Sequence, residues 1–154
     1  MPYYTRPSKD AYYLSIAKAV SARSTCLRRR YGAILVREDA IVASGYNGAP
    51  RGMENCSDKG RCRREELGCA HGERYELCVA VHAENNAVIN AARAGVSVLD
   101  STLYLYGEDA GTGKPVDAEP CLMCGRVIRN AGIIRIVGSR KEEEDEGHLD
   151  APAG

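Results

Sequence analysis

The sequence contains neither phenylalanine nor tryptophan, and its nine aromatic residues are all tyrosine. A buried core must therefore be built from Ile, Val, Leu, Ala and tyrosine rings. The formal net charge is zero, which argues against a protein that coats long nucleic acids. No apolar run approaches the roughly 20 residues that cross a bilayer, and residues 1–6 lack the apolar stretch of a signal peptide. We therefore expect a cytoplasmic protein that contacts no membrane.

Cysteine, by contrast, is frequent. Seven cysteines are many for a reducing compartment, and an odd number favours metal binding over a disulfide framework. The 154 residues suffice for one domain with a real core, and no internal repeat or linker divides them. We expect a single domain over residues 1–154, in which the acidic and then Pro/Ala/Gly-rich stretch 141–154 is a flexible tail.

Apolar spacing and turn residues predict the order α-β-β-α-β-α-β. This order indicates an α/β sheet covered by helices. A polar stretch over residues 49–76 has no clear period, and a loop of that length needs something else to order it. The predicted helices cover residues 8 to about 23, 82–94 and 121–131, and the predicted strands cover 31–36, 40–45, 102–106 and 133–137.

Two short motifs open the second and third predicted helices: His82-Ala83-Glu84 and Pro120-Cys121-Leu122-Met123-Cys124. This H-x-E and P-C-x-x-C pair is typical of zinc-dependent nucleobase deaminases. One imidazole and two thiolates leave a tetrahedral zinc with an open position for water, and helix N-termini favour thiolate over thiol. Glu84, two residues past the histidine, is placed to take a proton from that water and to return it to a leaving amine.

Each part of the pattern has another interpretation when it is taken alone. The two cysteines could form half of a structural zinc knuckle, or a thioredoxin-like redox pair. A lone His82 would more often be a hydrogen-bonded core histidine than a metal ligand. The joint occurrence of all three, each opening a helix, favours the catalytic metal site.

Further segments give the chain its resemblance to one family. It resembles the deoxycytidylate (dCMP) deaminases of the cytidine-deaminase superfamily from about residue 8 to residue 137. The resemblance implies a three-layer α/β/α fold with a mixed sheet of about five strands. It also implies zinc-dependent hydrolysis of dCMP to dUMP and ammonia, in a homo-oligomer. The segments that carry it are Arg23-Ser24-Thr25-Cys26, Tyr31-Gly32-Ala33, Gly45-Tyr46-Asn47-Gly48-Ala49-Pro50, Glu76-Leu77-Cys78 and His82-Ala83-Glu84-Asn85-Asn86-Ala87.

The same resemblance implies a set of substrate contacts. Asn47 would contact the deoxyribose hydroxyl, and the backbone N–H of Ala83 would meet the pyrimidine carbonyl. Ser24 and Arg28 would meet the 5′-phosphate. From the residues alone, a dense basic cluster suits a phosphate dianion, although it could also be a solvated turn after a helix. Its members are Arg23, Arg28, Arg29 and Arg30.

The remaining cysteines suggest a second metal. Cys26, Cys56, Cys62 and Cys78 fall where many members of this branch place thiols, and four thiolates would close a structural zinc site. Such a site would order the polar stretch, because metal binding supplies folding free energy. Cys69 or His71 could replace one of the four. The alternative is a set of small buried thiols without a second metal.

The substrate is the least determined feature. No aromatic residue follows Val137, where relatives often place a tyrosine near the base, and a polar loop over 107–119 leads into Pro120. The alternatives to dCMP are another amino-substituted base (free cytidine or deoxycytidine, a modified pyrimidine, or an adenosine in tRNA) and a non-catalytic zinc-binding module. A free nucleoside would not need the arginine cluster, a tRNA would need a basic groove, and a structural site has no use for Glu84.

Overall fold

A mixed sheet with helices on both faces forms the body of the computed structural model, which describes residues 3–142. The strand order is β2-β1-β3-β4, in which β1 is antiparallel to β2 and β3, while β4 is parallel to β3. The helices are α1 (Lys9–Ser21), α2 (Cys56–Lys59), α3 (Arg63–Glu66), α4 (Ala83–Ala94) and α5 (Leu122–Asn130), and the strands are β1 (Arg29–Arg37), β2 (Ala40–Tyr46), β3 (Thr102–Asp109) and β4 (Arg135–Gly138).

The α/β class is confirmed, and the longer elements follow the predicted order, with two one-turn helices added between β2 and α4 and one difference in the sheet. The resemblance implied about five strands, whereas residues 3–142 form four. A fifth strand would have come from the stretch after Val137, but β4 itself ends at Gly138. The next residue, Ser139, is tied back to the sheet, since its N–H donates to the carbonyl of Leu105 at 2.9 Å. Residues 143–154, most of the expected tail, lie outside the described residues.

Alternation along β1 and β3 separates the core into two layers, as expected for strands covered on both faces. One face packs against α1, and it includes Tyr104 and Tyr106 together with Tyr13 of the helix. Tyrosine rings thus fill this layer in a chain that has no Phe or Trp. The other face packs against α4 and α5 through Ala33, Leu35, Leu103 and Leu105. The fold is therefore a three-layer α/β/α structure.

The connection between β2 and α4 contains the predicted polar stretch. It holds two one-turn helices, α2 and α3, and a 3₁₀ turn over Tyr75–Leu77. Backbone bonds anchor both ends: Gly48 and Val81 exchange two hydrogen bonds of 3.2 and 2.7 Å, and the N–H of Ser57 donates to the carbonyl of Thr25 at 3.2 Å. The connection therefore lies beside the start of α4. Among residues 3–142, none of the helices combines the length and the hydropathy of a membrane span.

Candidate metal centre

The N-terminus of α4 provides one half of the centre. His82 is the N-cap residue with extended backbone, and Gly95 ends the helix in the left-handed conformation at φ 69°. Ala87 and Ala91 face the sheet and are buried, so the same side of the helix carries Glu84 inward. The Glu84 side chain is only 5% exposed although it carries a carboxylate. Acidic residues are almost never buried without a partner or a function.

The N-terminus of α5 provides the other half. Cys121 is its N-cap residue, and the sulfur of Cys121 accepts a bond from the N–H of Cys124 at 3.5 Å. This is ordinary capping geometry with sulfur in place of oxygen. Cys124 is buried together with Ile128, one helical turn later. The C-x-x-C spacing thus turns both sulfurs toward His82.

The three side chains meet at distances that suit a metal ion. His82 Nδ1 lies 3.2 Å from Cys124 Sγ and 3.6 Å from Cys121 Sγ. Tetrahedral zinc with ordinary bond lengths would separate a nitrogen and a sulfur ligand by about 3.5 Å. Within residues 3–142, this is the only set of three His, Cys, Asp or Glu residues whose ligand atoms all lie within 4.8 Å of one another.

The electrostatics of the centre also favour a cation. Burial raises the pKa of the Cys124 thiol well above its usual range, and the neighbouring Glu84 carboxylate raises it further. A thiolate at this position therefore needs a positive charge beside it. The donor set and the spacing fit a zinc ion bound by one imidazole and two thiolates.

A cavity opens beside His82 and Cys121. Arg28 and Tyr31 at the start of β1, Asn47 after β2, and Tyr75 line it together with His82, Ala83 and Glu84. Burial raises the pKa of the Tyr31 hydroxyl, and the nearby Arg29 opposes this shift. The cavity thus combines apolar ring surface, a guanidinium and a carboxylate.

The residues expected to contact substrate lie at different depths. Ala83 lines the cavity as the first residue of α4, where helix N–H groups have no intrahelical partner. Asn47 is buried and strongly tied, because its Oδ1 accepts from the hydroxyl of Ser24 and from the N–H of Tyr31 at 2.9 Å. Its Nδ2 donates to the carbonyl of Arg29 at 2.9 Å. Ser24 is therefore linked to the cavity indirectly, because it binds Asn47, which lines the cavity.

The guanidinium of Arg28 has a hydrogen-bond donor that finds no acceptor among the described residues. Its Nε lies 3.2 Å from a carboxylate oxygen of Glu65. Its Nη1 is buried and has no hydrogen-bond partner among the described residues. An unsatisfied buried donor is costly, and an anionic ligand in the cavity would satisfy it.

The four further cysteines lie in one neighbourhood. Cys26, Cys62 and Cys78 line the same cavity, and all seven cysteines are free thiols. Burial, followed by the three other thiols of this group, raises the pKa of Cys56. Among the described residues, however, the four sulfurs do not form a set as close as the His82 centre. Of the two suggested replacements, His71 lines the cavity.

The cavity residues that sequence reasoning missed include Tyr31, Arg64 and Tyr75. Arg64 is buried and stacks on the ring of Tyr75. No local signal distinguishes it from the exposed arginines around it. The sequence places Tyr31 in a predicted strand and in a segment that carries the family resemblance. Its position at a strand start beside an arginine cluster is the signal that could have predicted a residue of the cavity wall.

Ser139, which follows Val137 where relatives often place a tyrosine, has a structural role instead. Ser139 Oγ accepts from the N–H of Gly107 at 3.0 Å and donates to the carbonyl of Val116 at 2.9 Å. These bonds close the base of the 107–119 loop onto β3. Glu119, near the end of this loop, lines the cavity, so the loop borders the site.

The fold and the centre together define a class of protein. A buried carboxylate beside one imidazole and two thiolates, each at a helix start, is the arrangement of the zinc-dependent nucleobase deaminases. The chain belongs to the family described as the cytidine and deoxycytidylate deaminase zinc-binding region, whose model matches residues 7–139.

Individual relatives agree with this assignment. The chain is 37% identical over 136 residues to a deoxycytidylate deaminase of Schizosaccharomyces pombe, covering 88% of this chain and 38% of the relative. It is 37% identical over 138 residues to a deoxycytidylate deaminase of Mycobacterium phage D29, covering 86% and 95%. The chain thus spans about two fifths of the length of the Schizosaccharomyces pombe and Saccharomyces cerevisiae relatives, but nearly all of the phage protein.

A solved structure shows the same fold. The dCMP deaminase from the cyanophage S-TIM5, crystallised in complex with dCMP and dUMP, is 26% identical and superposes with a TM-score of 0.65. The match covers 90% of this chain and 86% of that chain. The whole three-layer body is therefore shared.

Proposed function

We propose that this protein catalyses the zinc-dependent hydrolytic deamination of a pyrimidine nucleotide, dCMP plus water giving dUMP plus ammonia. One observation carries the proposal: a nitrogen and two sulfurs lie at zinc-ligand spacing beside a buried carboxylate, at the wall of a cavity that also holds an unsatisfied guanidinium donor. The deoxycytidylate deaminase relatives support the same reaction.

In this proposal His82, Cys121 and Cys124 bind the zinc. When bound, zinc makes water a nucleophile near neutral pH by lowering its pKa. Glu84 accepts the proton at its carboxylate and delivers it to the nitrogen of the departing amine, so that it ends the cycle ionised again. Its burial keeps bulk water away from this transfer.

Substrate orientation is proposed to come from Ala83 and Asn47, which also line the cavity. The free N–H of Ala83 meets the pyrimidine carbonyl, which is suited to a helix N-terminus. Asn47 retains one amide hydrogen for the deoxyribose hydroxyl, because its other bonds hold it to Ser24, Tyr31 and Arg29.

The unsatisfied Nη1 of Arg28 supports a phosphate over a free nucleoside, since a phosphate oxygen would supply the missing acceptor. Ser24 would join this contact only by turning its hydroxyl away from Asn47, to which it donates in the structure.

We also propose a second, structural zinc held by Cys26, Cys56, Cys62 and Cys78. Their shared neighbourhood supports this proposal, and so does the short length of the helices between them. Closing the four sulfurs around a metal would order the connection that forms one wall of the cavity.

The proposal also includes a homo-oligomeric assembly and a cytoplasmic location. Large apolar side chains stand exposed on the α5 and β4 side, among them Leu122 at 83% and Ile134 at 70%. They support a homo-oligomer of single-domain chains in which these side chains are covered by another copy. Free thiols throughout support a reducing, cytoplasmic setting.

The test is a substrate panel combined with one substitution. Wild type and Glu84→Gln are assayed on dCMP, CMP, deoxycytidine, cytidine and dCTP by the change in ultraviolet absorbance. We expect dCMP to be preferred by the wild type, and Glu84→Gln to lose about 100-fold or more of the turnover while it retains zinc. Glu119→Gln, a change at an exposed carboxylate on the same cavity, is the matched control and should stay active.

Two outcomes would count against the proposal. A preference for deoxycytidine over dCMP would make the protein a nucleoside deaminase. Full activity of Glu84→Gln on every substrate would remove Glu84 from the chemistry.

A further inference from the structure

Arg64 is a buried arginine whose guanidinium group binds other groups inside the protein. Its side chain lies in α3 and the residue is only 6% exposed, although arginine is almost never buried so deeply without a partner. Within residues 3–142 it forms no ion pair. Instead, Nε and Nη2 donate to the carbonyl of Glu73 at 3.1 and 2.7 Å, and Nη2 also donates to the carbonyl of Ala70 at 2.8 Å.

The same guanidinium stacks on an aromatic ring. Its central carbon lies 4.5 Å from the ring centroid of Tyr75, which is the geometry of a cation–π contact. The fork on the Glu73 and Ala70 carbonyls fixes the backbone just before Tyr75, and the stacking fixes the ring itself. Arg64 therefore holds Tyr75 from two directions.

Tyr75 in turn packs on His82. The two ring centroids are 5.1 Å apart and the planes are at 87°, an edge-to-face contact. Arg64, Tyr75 and His82 all line the cavity. A continuous chain of contacts thus runs from a buried cation in α3 to a proposed zinc ligand at the start of α4.

The orientation of the His82 ring has no other evident source. In the part of the chain that the structure describes, its ring hydrogen bonds are those between Nδ1 and the sulfurs of Cys124 and Cys121. Histidines that bind metals are usually oriented by a hydrogen bond from their other ring nitrogen. The aromatic contact of the His82 ring is instead the edge-to-face packing with Tyr75.

We propose that Arg64 and Tyr75 are positioning residues that fix the plane of the His82 imidazole, by packing rather than by a hydrogen bond. This inference rests on the proposed function, because it takes His82 as a zinc ligand. It predicts that losing the Tyr75 ring loosens the metal, whereas losing only its hydroxyl does not.

The experiment measures zinc release. Zinc-loaded protein is mixed with an excess of a coloured chelator, 4-(2-pyridylazo)resorcinol, and the release is followed over time. The phase that belongs to the catalytic centre is the one that disappears in His82→Ala. The variants are Tyr75→Leu, Tyr75→Phe and Arg64→Met. The matched control is Arg63→Met, which removes the neighbouring arginine of the same helix, where the side chain is 57% exposed.

We expect Tyr75→Leu and Arg64→Met to release this zinc about 10-fold faster than the wild type, the scale seen when a partner of a metal ligand is removed. Tyr75→Phe and Arg63→Met should match the wild type. Tyr75→Leu also keeps the test decisive if Arg64→Met does not fold.

Several results would overturn the inference. These are wild-type release from Tyr75→Leu, equal acceleration by Tyr75→Phe, and equal acceleration by Arg63→Met. A lower melting temperature of Tyr75→Leu with unchanged release would show a merely structural role. If His82→Ala released zinc just as the wild type does, the proposed function itself would be contradicted. The two failures are therefore distinguishable.

Discussion

Replacing Gly45 by alanine tests whether the contact between β2 and α4 sets the position of the candidate site. A Cβ at residue 45 would lie 2.4 Å from the nitrogen of Ala87 and 2.6 Å from the carbonyl oxygen of Ala83, where ordinary contacts are 3.4–4 Å. Both atoms are helix backbone and cannot rotate away, so α4 must move outward by about 1 Å. Overpacking of this kind costs about 1–3 kcal/mol. Because α4 begins at the proposed ligand His82 and carries Glu84, the same shift should lower kcat/KM about 100-fold.

The assay pairs urea unfolding with kcat/KM of the folded variant on dCMP. Gly32→Ala is the matched control for stability, because its Cβ would lie 2.1 Å from the carbonyl oxygen of Ala17 in α1, on the opposite face of the sheet. It should destabilise the protein without a comparable loss of kcat/KM in the folded fraction. Gly125→Ala in α5 meets nothing within 4 Å and should raise stability by about 0.5–1 kcal/mol. A Gly45→Ala protein with wild-type stability and activity would refute the reasoning.

Two further predictions concern stability alone. Leu105→Ala, at a fully buried position of β3, should lower the unfolding free energy by about 2–5 kcal/mol in urea; a change below about 1 kcal/mol would contradict the described core. Hydrogen bonds from Arg135 and then from Tyr104 hold the pKa of Asp10 below its ordinary value of 3.8, so its contribution is present above that pH and is lost as the pH falls. Asp10→Asn should therefore destabilise the protein slightly at pH 7, since the side chains of Asp10 and Arg135 are both exposed, and the difference from the wild type should shrink below pH ~4; a pH-independent difference would contradict the assignment.

Periodicity predicted the helices better than the strand ends. The start and stop of α4 and α5 were found to within one residue, because helix starts carry the motif residues and Gly95 and Gly132 follow the last turns. The strand β3 runs to Asp109, three residues further than predicted. Its polar end is held by backbone pairing with the start of β1, and backbone pairing leaves no hydrophobic pattern to detect.

The cluster of His82, Cys121 and Cys124 was predictable because zinc chemistry dictates the residue types and the spacing of such a site. The residues that support them were not. Arg64 and Tyr75 lie in a segment without periodicity, and which arginine of α3 turns inward depends on how the following loop presents the backbone carbonyls of Ala70 and Glu73. Gly45 was predicted to end a strand, but nothing in the sequence indicated that its missing side chain lets α4 approach the sheet. Such roles arise from tertiary packing and leave no trace in local sequence.

The most direct test of the proposed catalytic metal site is the zinc content of variants in which one cysteine is replaced by serine. Plasma emission spectroscopy of the purified wild type should find one or two zinc ions per chain. Cys124→Ser should contain one fewer than the wild type, whereas Cys69→Ser, which changes a thiol outside both proposed ligand sets, should contain the same number. Equal zinc in the wild type and Cys124→Ser, or none in either, would contradict the claim that His82, Cys121 and Cys124 hold the catalytic metal.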